Sequence, residues 1–140
     1  MKIIILLFLF LAGCQTLSLA RVKNISQDTI KSKYELDSLS RAEYEKFETK
    51  FSTWFYKKYC VKMKIKISCG GCSSFFFPVT FKVDSAGKIK ITETGTGKFC
   101  GKELNARQKS ELLKGLNNIV FSNLFYGKII VFNFNRSLKC

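Results

Sequence analysis

Six cysteines and no histidine set the chemistry open to this chain of 140 residues. Cys69 and Cys72 stand in the stretch CGGC, the spacing of thiol–disulfide exchange. In redox proteins such a pair sits at a helix N-terminus, where the dipole lowers the thiol pKa. Here SSFFFPVTFKV follows, a run with strand character, which makes exchange the lesser reading. The lack of histidine removes Ser-His-Asp and Cys-His catalysis, HExxH metallopeptidases and most mixed Cys/His zinc sites. Acid–base catalysis needs carboxylates that converge and are tuned by their surroundings. Asp84 reads as a turn residue, Glu93 as a strand end, and Glu103 and Glu111 as solvated positions. The stretch GTGKFCG has glycines and a lysine but not the P-loop spacing. The expectation is a protein without catalytic activity, cofactor or metal.

The first residues say where those cysteines would work. MKIIILLFLFLAGC has one Lys followed by an apolar run from Ile3 to Ala12. That run is too short for a membrane span, which needs ~20 residues, and has the length of a signal-peptide core. Two cuts are written after it. LAGC, residues 11–14, looks like a bacterial lipobox and makes Cys14 a lipidation site. SLA, residues 18–20, suits an ordinary signal peptidase. Both cuts imply export, to the outer membrane or periplasm in the first case and as a soluble secreted protein in the second. Residues 1–20 are therefore read as a signal segment. Residues 21–38 show no period and read as a tether, leaving 39–140 as one domain.

Export bears on the cysteines. Cys14 leaves the inventory by either cut. Cys60, Cys69, Cys72, Cys100 and Cys140 remain as disulfide candidates, enough for two bridges and one leftover thiol. Cys69–Cys72 and Cys100–Cys140 are the pairings considered, among fifteen arrangements that sequence alone leaves open. A zinc site of four thiolates is the weaker alternative, because export favours oxidation over retained thiolates.

The net charge of +14 is uneven. Residues 21–59 hold nine basic and six acidic side chains, whereas residues 60–140 hold fourteen and four. A basic surface favours anionic partners, and its plainer use is solubility and protection of sheet edges. The partners expected are an envelope protein or an anionic envelope component such as a lipid head group or glycan. No nucleic acid is expected.

The elements that would position these groups follow from periodicity. SRAE, residues 40–43, is a capping box. Tyr44, Phe47, Phe51, Trp54 and Phe55 then form one helical stripe. VKMKIKI, residues 61–67, alternates and predicts a strand with Val61, Met63, Ile65 and Ile67 inward. FFFPVTFKV predicts the next strand, with Pro78 at an edge, a bulge or the strand start. DSAG, residues 84–87, is a tight turn, and KIKITET continues the hairpin. GTGKFCGKEL reads as a loop. Asn105 and Gln108 cap a second helix whose stripe is Leu112, Leu113, Leu116, Ile119 and Val120, with Gly115 weakening it by roughly 1 kcal/mol relative to Ala. GKIIVFNFN is the last strand. The expected class is α+β: a two-layer sandwich with an antiparallel sheet, order α-β-β-β-α-β, and helices on one face. Lys62, Lys64, Lys66, Lys82, Lys88 and Lys90 would then share the open sheet face as a basic binding surface.

PVTFKVDSAGKIKI, residues 78–91, followed by loop, helix and strand, resembles the C-terminal domain of TonB-type energy-transducing proteins over about residues 77–136. The resemblance implies this fold, a periplasmic setting and recognition of outer-membrane partners through an added edge strand. It implies no catalytic residues. The Pro-rich spacer and spanning anchor of that family are missing here, so the resemblance extends to the fold and not to energy transduction. Together these readings predict an exported, lipid-anchored interaction module of the cell envelope. The alternatives are a thiol–disulfide protein using CGGC and a secreted basic binding domain.

Overall fold

The aromatic stripe forms a helix that begins earlier than its expected cap. The computed structural model describes residues 29–65 and 74–137. Helix α1 spans Ser38–Trp54. Its cap is Asp37, whose Oδ1 accepts from the amides of Leu39 and Ser40, both at 3.0 Å. A carboxylate there satisfies two open amides and complements the helix dipole. It displaces the Ser40 capping box, and Glu43 binds Lys46 instead.

Tyr44, Phe47 and Phe51 are buried along α1, and Phe55 and Tyr59 continue the row. Four-residue spacing exceeds the 3.6 residues of an α turn, so a row repeated at every fourth residue drifts around the helix. A π-helical turn, Phe55–Tyr59, takes up the drift, with the Cys60 amide donating to the Phe55 carbonyl. A short helix, α2 (Cys60–Lys62), follows.

The strand expected over residues 61–67 is absent from its described part. Val61 and Lys62 finish the helix, and Met63 and Lys64 form a turn. The rings of Phe55 and Tyr59 stack on each other at 5.3 Å, and Phe55 lies 4.7 Å from Phe75. That long-range ring packing holds the backbone helical through an alternating sequence. Val61, expected inward, is 72% exposed.

Among the described residues the sheet has six strands: β1 (Thr29–Ile30), β2 (Ser74–Val83), β3 (Ile89–Thr94), β4 (Lys98–Phe99), β5 (Lys102–Glu103) and β6 (Ile129–Ser137). The path runs β1-β6-β2-β4-β5, and β3 also pairs with β2. β1 is parallel to β6, so the sheet is mixed and not antiparallel throughout. The class is α+β. Thr29 and Ile30 were expected in the tether, yet they belong to the sheet, with Ile30 buried. Arg41 ties the next segment down, donating to the carbonyls of Lys33, Tyr34 and Leu36.

Pro78 sits mid-strand in β2, opposite Asn133 of β6. On its other side β2 changes partner, from β3 at Val79–Val83 to β4 at Phe75–Phe76. The proline ring occupies the gap, where no ladder donor is needed. A bulge follows between Thr80 and Phe81. The Asp84 turn closes as expected: its Oδ1 accepts from Ala86 and Lys88, both at 2.8 Å. Gly87 supplies the positive φ of 75°.

The expected loop GTGKFCGKEL contains a hairpin. Cys100 and Gly101, with φ of 52° and 75°, join β4 to β5. Positive φ at both central residues is the two-residue turn whose twist matches its strands. Helix α3, Ala106–Asn117, has the expected capping box, Asn105 and Gln108 each accepting from the other's amide at 2.9 Å. Its stripe ends sooner than expected: Ile119 is buried beyond the helix, and Val120 is 62% exposed.

The odd residues Phe75 to Val83 of β2 and the even residues Ile130 to Phe134 of β6 are buried. Phe47 meets Phe81, Phe121 and Phe132, and Phe51 meets Phe132 and Phe134. Each such ring contributes roughly 1.5–3 kcal/mol by leaving water.

Candidate functional site

The six lysines expected on one sheet face are not together. Lys82 and Lys90 face each other across β2 and β3, both exposed. Lys88 precedes β3, with its amide bound to Asp84. Lys62 belongs to α2 and binds Glu111 at 2.6 Å, and Lys64 lies in the turn after it. Neither is on the sheet, because Val61 and Lys62 are helical and Met63 and Lys64 form a turn. Lys66 lies outside the described residues. Like charges directly opposite each other are unfavourable, and the exposed Lys82 and Lys90 make a local cationic spot across β2 and β3.

Lys62 and Lys64 instead meet α3. Lys62, Met63 and Lys64 on one side and Asn105, Arg107 and Gln108 on the other line a concavity of about 360 Å³. Arg107 was not foreseen. Its only signal was its place in the first turn after the Asn105 cap, and nothing local brings that turn to residue 64. Just outside, Glu111 binds both Lys114, at 2.8 Å, and Lys62. These two ammonium groups, Lys114 first, hold the Glu111 carboxyl down at about 2.

A second concavity, of about 420 Å³, has mixed charge: Lys33, Glu45, Glu48 and Arg136 lie on its wall, with Ser52 and Tyr56. Lys33 binds Glu48 at 3.0 Å, and this raises the pKa of its ammonium. Arg136 donates to Ser52 and lies over the Phe134 ring at 4.8 Å. Lys33 is thus ion-paired within the fold, and Arg136 is held by a hydroxyl and a ring.

Of the cysteines, Cys14, Cys69, Cys72 and Cys140 lie outside the described residues. Cys60 is free and buried, and burial pushes its thiol up to about 11. Cys60 was one of the five disulfide candidates, and it forms no bridge. Cys100 is disulfide-bonded. Its amide donates to the Ser74 carbonyl at 2.9 Å, and Ser74 is in register with Ser137. Next to Cys60, the Tyr59 hydroxyl is buried without a hydrogen-bond partner, and burial raises its pKa.

Among the described residues no group of three His, Cys, Asp or Glu side chains is placed to hold a metal ion. No helix among them is long and apolar enough to cross a membrane. Compared with protein-family models, curated proteins and solved structures, the chain matches none.

Proposed function

We propose that this chain is an exported, lipid-anchored interaction module of the cell envelope that acts by binding and not by catalysis. The observation that carries the reading is the order of its segments. An apolar run ends in Leu11-Ala12-Gly13-Cys14, and a folded domain starts by Thr29 with exposed cations on its surface. In this reading Cys14 bears the anchor, and Lys82, Lys88 and Lys90 form a contact surface for an anionic envelope partner. The elements form two layers, α1 and α3 against one face of the sheet. The alternating burial of β2 and β6 supports that arrangement. The likeness of residues 78–91 to the TonB-type domain supports the fold but names no partner.

Cys69–Cys72 and Cys100–Cys140 are the proposed bridges. The second is supported by the Ser74–Ser137 register and the Cys100–Ser74 hydrogen bond, since Cys140 follows Ser137 by three residues. A non-reducing peptide map that joins Cys140 to another cysteine would sink it. The thiol-exchange alternative lacks support, because the segment after Cys72 opens β2 at Ser74 and not a helix.

The deciding experiment is intact mass of protein made with its own signal in a bacterial host. A species beginning at Cys14 with added acyl mass is expected. A species beginning at Arg21 overturns the anchor and leaves the secreted basic domain.

A further inference from the structure

We propose that the concavity between the end of α2 and the start of α3 binds a phosphate group. Lys62, Lys64 and Arg107 line it, and among the described residues no carboxylate does. The contrast with the second concavity is direct, since Glu45 and Glu48 line that one beside Lys33 and Arg136. Among the described residues neither Lys64 nor Arg107 has an ion-pair partner.

Both walls are fixed in advance. Lys64 is held at φ 53°, a left-handed conformation unfavourable for any residue with a side chain. Its own amide binds the Val61 carbonyl at 3.1 Å, and the Ile65 amide binds that of Cys60 at 2.9 Å. The reciprocal Asn105–Gln108 bonds pin the facing turn. Glu111 anchors Lys62 from outside the concavity and links α2 to α3.

Lys64 and Arg107, with Lys62 held beside them by Glu111, suit a compact dianion. A guanidinium forks onto two oxygens, and ammonium groups act as point charges. A phosphate dianion matches the two unpaired charges of Lys64 and Arg107, whereas a single carboxylate leaves one of them unneutralised. The first turn of α3 adds its positive dipole end to the same field. A free phosphate monoester and a lipid phosphate head group share this chemistry. The site needs only the folded chain, so it stands or falls apart from the anchor.

The test titrates the full chain, with Cys14→Ala to remove any acyl group, with inorganic phosphate at constant ionic strength. Backbone amide shifts are followed by NMR. Saturating shifts at Lys64, Arg107 and Gln108 are expected. The apparent Kd should rise at least tenfold in Lys64→Gly and in Arg107→Gln, but stay within twofold in Lys50→Gln. Lys64→Gly suits the positive φ, so its Tm should not fall, and lost binding then reports lost charge. Shifts that stay linear, or equal weakening by Lys50→Gln, overturn the site. Vesicles of phosphatidylcholine with and without phosphatidic acid distinguish the sources. Phosphatidic-acid binding that phosphate competes away and Arg107→Gln abolishes supports a head group. Saturable phosphate binding without vesicle binding supports a soluble monoester.

Discussion

The indole of Trp54 lies directly over Gly115, so close that a Cβ on residue 115 would overlap the Cη2, Cζ3 and Cζ2 atoms of the ring. Helix propensity alone says that alanine should improve α3 by roughly 1 kcal/mol. Packing says the reverse, because a glycine is what lets α1 and α3 approach through that ring. Gly115→Ala should destabilise the fold by about 1–3 kcal/mol, the usual range for overpacking. In a Trp54→Leu background the same change should become neutral or favourable. A double-mutant cycle by denaturant unfolding measures this coupling. Simple stabilisation by Gly115→Ala in the parent would show that the ring does not close on the glycine.

The Asp84 turn offers a second prediction. One carboxylate oxygen receives two amides at 2.8 Å. Asp84→Ala leaves both without their partner and should cost about 1–2 kcal/mol, while Asp84→Asn keeps an acceptor and should lose less than half of that. Gly87→Ala should be worse than either. A side chain there meets positive φ and the carbonyl of Phe121 together, and the Phe121 amide is bound to the Gly87 carbonyl at 2.9 Å. Thermal unfolding of the three variants gives the ranking, and an undiminished Tm for Gly87→Ala would contradict it.

Stability should also fall in acid, with a calculable window. Glu111 ionises in the folded chain at about 2, against an ordinary value of 4.5, because Lys114 and Lys62 hydrogen-bond its charged form. Asp37 is likewise lowered, chiefly by the Ser40 amide. A carboxyl whose folded pKa lies below its unfolded one stabilises above the unfolded value and stops doing so as pH drops through the folded one. The Glu111 contribution is therefore complete above about 4.5 and lost on the way to about 2. Glu111→Gln should flatten the Tm profile between those limits, and Glu111→Gln with an unchanged slope would exclude this linkage.

Cys60 makes the fourth case. Its thiol is buried and free, with a pKa raised to about 11. At pH 8 iodoacetamide should leave it unmodified in the folded chain and label it fully in denaturant. Raised folded pKa means that the neutral thiol favours the fold, and this contribution fades as pH climbs from about 9 toward about 11. Native labelling at the rate of an exposed thiol would show that the Phe55–Tyr59 turn does not cover it.

Much of the local chemistry was legible where its partners lie within a few residues, although the Ser40 box gave way to Asp37. The stripe from Tyr44 to Phe55, the Asp84–Gly87 turn, the Asn105–Gln108 box and the last strand could all be read from the sequence. Each of these rests on spacing or on hydrogen bonds that close nearby. The sequence also determined the charge imbalance, the lack of histidine and the cysteine inventory, which need no fold at all.

Tertiary structure decided the rest. VKMKIKI alternates like a strand, but Tyr59 and Phe55 rest on Phe75 and keep residues 61 and 62 helical. Thr29 and Ile30 became a strand only because β6, a hundred residues later, offered an edge. Cys100 and Gly101 could form a tight turn because Phe99 and Lys98 pair with β2. Lys62, 49 residues from its Glu111 partner, left the sheet face and joined Lys64 and Arg107 at a single concavity. Periodicity records which face of an element is apolar. Which distant face it meets depends on how rings of fixed size pack and where the strand edges fall, and those are properties of the assembled core.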